Sequence, residues 1–273
     1  MEGRKIKNIV ILILLMVNGF LLFLVVGQQV KVRQYQRSAL TRASQVLEQN
    51  GITLADGLPG KVKTDLPPLS VTREPQAEAD LAQILLGSSV QRSDRGGGVF
   101  VYTSARGSGQ FLSSGDFSFT LNDCPLDGKT PADHAEALLS SLSISAELTE
   151  EQTDEDGSTL MFRQLLGSTP LYSSLITFRY DDSRLLNVGG NLLTGSTAAE
   201  SAQLLDVPTV LIRFLDGILT RGDVCSAVSG MRLGYRASQS FGSGTRLTPV
   251  WLVSTNVSDY YLNALTGELE PVR

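Results

Sequence analysis

Apolar positions are spread unevenly along this chain. No charged residue occurs between Asn8 and Val30, and Ile9–Val26 is apolar except for Asn18 and Gly19. At ~1.5 Å per helical residue a run of this length crosses a hydrocarbon core of about 30 Å, so it predicts a transmembrane helix. A cleaved signal peptide has a shorter apolar region, about 7–15 residues, and a small-residue cleavage site. The following "FLLFLVVGQQVKV" offers no such site, which favours an uncleaved anchor. Arg4, Lys5 and Lys7 precede the span and Lys31, Arg33, Arg37 and Arg42 follow it. The flanks are nearly balanced, and long carboxyl-terminal domains translocate largely regardless of charge. The expected topology is a cytoplasmic amino terminus and an extracytoplasmic body. Asn18 gains by hydrogen bonding to a neighbouring helix, and Gly19 lets backbones approach; the competing account is an amide satisfied by its own backbone.

Beyond the span, the polar pattern changes period. In "KVRQYQRSALTRASQVLEQ" (31–49), Val32, Tyr35, Ala39, Ala43 and Val46 recur at three- and four-residue steps, one face of a helix that "NG" at 50–51 stops. Residues 53–75, with "GLPGK", "LPP" and "REP", read as a breaker-rich linker. "TPADHAEALLSSLSI" (130–144) opens with a cap and an early Pro, then sets Ala135, Leu138, Leu139 and Leu142 on one helical face. Three strand-like runs follow at 158–166, 171–180 and 184–193, broken by "GSTP" and "DDS". A second helix (207–219) again precedes three strand-like runs at 224–238, 246–255 and 258–269. "AEADLAQILLG" (77–87), with the runs "GVFVYTSA" and "DFSFTLND", gives a third, less complete copy.

The pattern therefore predicts an α+β protein: an N-terminal transmembrane helix, then an extracytoplasmic body of repeated helix-plus-antiparallel-sheet units. The expected segments are a tail and anchor (1–30), a juxtamembrane helix and linker (31–75), a first α+β unit (76–205) and a second (206–273).

Charge narrows the function classes. The 23 basic and 28 acidic side chains leave a net charge of −5, and residues 28–273 alone carry 20 basic and 27 acidic groups. A body of that sign repels phosphate backbones, which argues against nucleic acid. Cys124 and Cys225 either pair in an oxidising compartment or are two buried thiols; their spacing fits no zinc motif.

Reactive chemistry is sparse. His134 is the single histidine, near a helix start, and reads as a surface or capping-turn residue rather than a general base. No GxSxG elbow is present. "RGGGV" (95–99) and "ARGSGQ" (105–110) lack phosphate-loop spacing and read as hairpin turns, and the acidic run 147–158 lacks calcium-loop order and reads as a solvated loop. No metal, cofactor or catalytic residue is expected. Trp251, Tyr260 and Tyr261 form the remaining cluster, either core packing or a ligand or partner surface.

The opening "RKIKNIVILILLMVNGFLLF", the paired helix-plus-sheet units and the ending "TPVWLVSTNVSDYYLNALTGELEPV" together resemble the YycI-type regulatory proteins of Gram-positive bacteria; "YYLNALTGEL" is also similar to the last strand-turn of PepSY-like domains. The resemblance implies a non-enzymatic, single-pass membrane protein. It implies pairing with a YycH-type membrane protein and regulation of a WalK-like sensor histidine kinase that controls cell-wall metabolism. Asn18 and Gly19 would then serve helix association. The alternative is an anchored extracytoplasmic binding protein for cell-wall fragments or peptides, using Trp251, Tyr260 and Tyr261.

Overall fold

A computed structural model of the chain describes residues 14–22, 35, 38–55, 66–193, 195–199, 202–239 and 244–272. Helix α1 (38–49) ends at the Asn50–Gly51 pair, where Gly51 takes φ 79° and Ile52 N–H donates back to Leu47 O at 3.0 Å. A left-handed turn of this kind is cheapest for glycine, which has no Cβ to clash. The next residues, β1 (Thr53–Leu54), run parallel to β12 (Ala227–Gln239).

Three further helices share one device at their start, a proline in the first turn where a missing N–H costs nothing. They are α2 (Pro75–Leu86), α3 (Pro131–Ser141) and α4 (Val207–Arg221). Thr130 caps α3 by accepting from Asp133 N at 3.1 Å, and Asp206 caps α4 by accepting from Thr209 N at 3.1 Å. Substituting such a cap by alanine typically costs ~1 kcal/mol.

Strands follow each helix in antiparallel order. After α2 come β3 (Gln91–Asp94), β4 (Phe100–Ser104), β5 (Gly107–Phe111) and β6 (Asp116–Leu121). After α3 come β7 (Ala146–Asp154), β8 (Gly157–Leu166), β9 (Thr169–Tyr180) and β10 (Leu185–Asn191). These two meanders join through their last strands, with Val188 opposite Phe119. After α4, β12 pairs with β13 (Gly244–Thr255), which is followed by β14 (Asp259–Asn263) and β15 (Leu269–Pro271). The first half of β13 also holds β2 (Leu69–Arg73), which in turn holds β11 (Gly195–Ala199). A parallel bridge between Tyr235 and Leu171 ties β12 to β9, and the described strands form one fifteen-stranded network.

Side-chain alternation sends one set of residues from each meander under the helices. Leu81, Leu85 and Leu86 of α2 and Ala135 and Leu139 of α3 share a core with Tyr102, Phe111, Phe119, Phe162 and Phe178. Val210, Leu211, Phe214 and Ile218 of α4, with Ala43 and Leu47 of α1, cover Trp251, Val253, Tyr260 and Leu262. A smaller cluster of Leu69, Val71, Leu171, Tyr235 and Leu247 seals the join between the two.

The structure corrects the expected fold class. The body is mostly β-sheet, and its units are not separate sheets. Residues 53–75 do not form a plain linker, because β1 and β2 lie within it and enter the sheet. The acidic run is largely the edge strand β7, whose residues 148–154 are all exposed; an edge paired on one side only accommodates carboxylates on both faces. The stretch 107–111 is strand β5 rather than a turn: Gly109 lies flat against Phe119, where a Cβ would come within 2.1 Å of the ring.

The expected anchor is corrected too. No helix among the described residues is long and apolar enough to cross a membrane. Within the predicted span only residues 14–22 are described, and they are helical and exposed. The rest of that span lies outside the described residues. The single-pass anchor and the membrane placement read from the sequence are therefore not shown by this structure, and beside Asn18 no described residue comes within 4 Å of a Cβ built on Gly19.

Candidate functional site

Strand alternation divides the predicted aromatic cluster. Trp251 on β13 and Tyr260 on β14 point under α4 and are buried. Tyr260 packs edge-on to Phe214 at 5.9 Å and its hydroxyl donates to Asp223 Oδ2 at 3.3 Å. The indole Nε1 of Trp251 is buried with no hydrogen-bond partner among the described residues. These two rings are core, the packing alternative of the two that the sequence left open. Tyr261, one position on, pairs with Leu252 and faces the other side of the sheet.

That side carries a stack of charged and aromatic groups. Tyr172 of β9 meets Tyr261 with ring centroids 5.3 Å apart. The Arg163 guanidinium lies 5.3 Å from the Tyr172 ring centre and Arg236 lies 5.1 Å from that of Tyr261. Desolvated cation–π contacts of this kind contribute up to ~2 kcal/mol. The Tyr172 hydroxyl donates to Arg232 O at 2.9 Å, and burial pushes its pKa well up. Burial likewise raises that of Tyr261. Glu147 accepts a two-pronged bond from Arg232 at 2.8 Å on each arm and lies 3.6 Å from Arg163; Glu270 accepts from Arg236. Beside the stack, Arg236, Thr248, Tyr261, Asn263, Glu268 and Glu270 bound a cleft of about 350 Å³. The tyrosines and arginines are thus engaged mainly with one another across the join between the second and third meanders.

A larger concavity lies on the opposite layer. Helices α1 and α4 enclose a groove of about 1000 Å³ lined by Ala39, Arg42, Val46, Ile212, Arg213 and Asp216, with Tyr35 at one end. Helix α1 packs inward through Ala43 and Leu47, which turns Ala39, Arg42 and Val46 onto the adjacent stripe. Helix α4 buries 207, 210, 211, 214, 215 and 218, leaving Pro208, Ile212 and Asp216 on the groove side. Tyr35, Val46 and Ile212 remain exposed there, Tyr35 by 77%. The helix face that the sequence pattern grouped, Tyr35, Ala39, Ala43 and Val46, lines this groove, with Ala43 the most buried of the four. On α4 the sequence signal for the groove was Ile212, an exposed apolar residue outside the buried stripe 207, 210, 211, 214, 215 and 218.

The potentially reactive side chains are occupied in the core. His134 is buried rather than on the surface: its Nδ1 sits 3.1 Å from the Tyr180 hydroxyl and its ring packs edge-on to that tyrosine. Cys124 and Cys225 are unpaired, lie in different cores, and have thiol pKa values raised by burial. No group of three or more metal-ligating side chains occurs among the described residues.

Comparison with known proteins bears on fold alone. No family model matches the chain, and no curated protein matches it. Among solved structures, an uncharacterized protein from Eubacterium rectale is similar at a TM-score of 0.50 with 11% identity, over 82% of this chain and 92% of that one. The C-terminal domain of YpeB from Bacillus megaterium is similar at a TM-score of 0.40 with 13% identity, over 74% of this chain and 99% of that domain. The second likeness carries no argument at that score. A YycI-type identity is not shown by either.

Proposed function

We propose that this chain is a non-enzymatic regulator that works by docking a partner protein in the α1–α4 groove. The observation that carries the reading is an apolar trough of about 1000 Å³ between two helices, in a body whose histidine and cysteines are buried in packed cores. The resemblance of residues 248–272 to YycI-type proteins supports the choice of partners: a YycH-type protein and, as the regulated enzyme, a WalK-like sensor histidine kinase. Regulation needs only a difference in affinity for two kinase states, and a coupling of about 1–3 kcal/mol suffices.

A photo-crosslinking amino acid at Ile212 tests this in the native host. Adducts with the kinase or the YycH-type protein are expected, together with altered kinase phosphorylation in an Ile212→Asp strain. Absence of such adducts and unchanged phosphorylation would sink the reading. The cleft beside Tyr261 favours a second reading, a binding protein for cell-wall fragments or peptides. Under it, Arg236→Ala with Tyr261→Ala abolishes retention of those fragments while leaving kinase output alone.

A further inference from the structure

The α1–α4 groove also has a sign. Arg42 and Arg213 line it against one carboxylate, Asp216, in a chain whose net charge is −5. Neither guanidinium joins any of the ion pairs formed among the described residues. The Arg213 stem lies against Gly267, where an added Cβ would approach its Cγ to 2.8 Å.

The dimensions suit a particular element. Ser38–Val46 and Pro208–Asp216 each run about 12 Å along their helices, and a third helix is about 10 Å wide. A trough of about 1000 Å³ therefore holds two to three helical turns with their side chains. An extended segment fits poorly, because helix faces offer no free N–H or C=O edge and its own backbone groups would be buried unpaired. A second copy of the same face fits poorly as well, since it would set arginines against arginines.

On the reading that this groove is a docking surface, we infer that its occupant is an amphipathic helix of the partner that carries carboxylates beside its apolar seam. The seam, at i, i+3, i+4 and i+7, lies on Ala39, Val46 and Ile212, and the flanking carboxylates meet Arg42 and Arg213.

The test uses the full chain and two labelled 18-residue peptides with the same leucine seam, one flanked by Glu and the other by Lys. Fluorescence anisotropy should show the Glu peptide binding at least tenfold tighter, with circular dichroism reporting added helix on binding. The double variant R42E/R213E should reverse the preference while Trp251 emission stays unchanged. Equal binding of both peptides, no binding, binding without added helix, or self-association relieved by R42E/R213E would each overturn the inference. The docking reading is judged separately. Ile212 adducts to the kinase or the YycH-type protein that survive R42E/R213E in the host leave docking intact and remove the acidic helix, whereas no such adduct with the unaltered chain removes docking itself.

Discussion

Tyr172 and Tyr261 meet ring to ring, centroids 5.3 Å apart and planes tilted 43°, although one belongs to the second meander and the other to the third. Tyr172 reaches across β12 because residue 234 is glycine: a Cβ there would sit 2.5 Å from its ring and 2.7 Å from Pro170 O. The join between the two meanders thus depends on a missing side chain as much as on the aromatic pair.

Gly234→Ala is accordingly expected to destabilise the chain by about 1–3 kcal/mol, the usual cost of overpacking. Tyr172→Phe keeps the ring and loses only the bond to Arg232 O, which is worth ~1 kcal/mol. Urea denaturation of the two variants should rank them in that order. A smaller loss for Gly234→Ala than for Tyr172→Phe would show that the ring can move aside.

A second joint is ionic. Arg73 on β2 grips the buried Glu78 of α2 with two donors, Nη2 to Oε2 at 2.7 Å and Nε to Oε1. Removing one member leaves the other charge without its partner, so Arg73→Met should cost about 3–5 kcal/mol. Arg73→Met with Glu78→Leu should recover most of that loss, because a packed apolar pair replaces a desolvated ionic one. A double variant as unstable as the single one would contradict this account of Glu78.

Much of the fold was legible where caps and periodicity agree. Thr130 with Pro131, and Asp206 with Pro208, announce α3 and α4, and β8, β9 and β10 follow from alternation between turn residues. Strands β3 and β7 escaped because "QRSD" and "AELTEEQTD" are polar edge strands with little to bury. Strand β2 was hidden in a proline-rich stretch, its pairing with β13 fixed by residues far along the chain. The candidate site was legible only in part. Adjacent aromatics on a strand face opposite ways, so Tyr260 is core while Tyr261 is not. The groove needs α1 and α4 together, and no local pattern joins Val46 to Ile212. The helix predicted over residues 31–37 lies mostly outside the described residues, and the anchor inferred from apolar length alone is not shown, since no described helix is long and apolar enough to cross a membrane.

Stability should depend on pH through His134. Burial, and secondarily Lys129, hold its pKa below the ordinary 6.5, with Asp127 opposing. The folded chain therefore keeps the imidazole neutral at pH values where the unfolded chain binds a proton, and stability rises with pH in that window. The contribution is whole above pH 6.5 and is lost as pH falls toward the folded pKa. Urea midpoints at pH 7.5 and 5.5 should differ less in His134→Gln than in the natural sequence. Equal differences in the two would mean that the ring is not titrating between native and unfolded states.

Trp251 offers the last measurement, since it is the sole tryptophan and lies fully inside the core covered by α1 and α4. Its emission reports that core alone, whereas amide hydrogen exchange along α3 and β8 reports the first. If the Tyr235–Leu171 bridge and the Tyr172–Tyr261 stack couple the cores, both signals should change at one denaturant concentration, as in a two-state transition. Weakening the joint with Gly234→Ala should then separate them, the two midpoints drawing apart as each core unfolds on its own. Two separate midpoints in the unaltered chain would show instead that the meanders share a hydrogen-bonded network without sharing a folding transition.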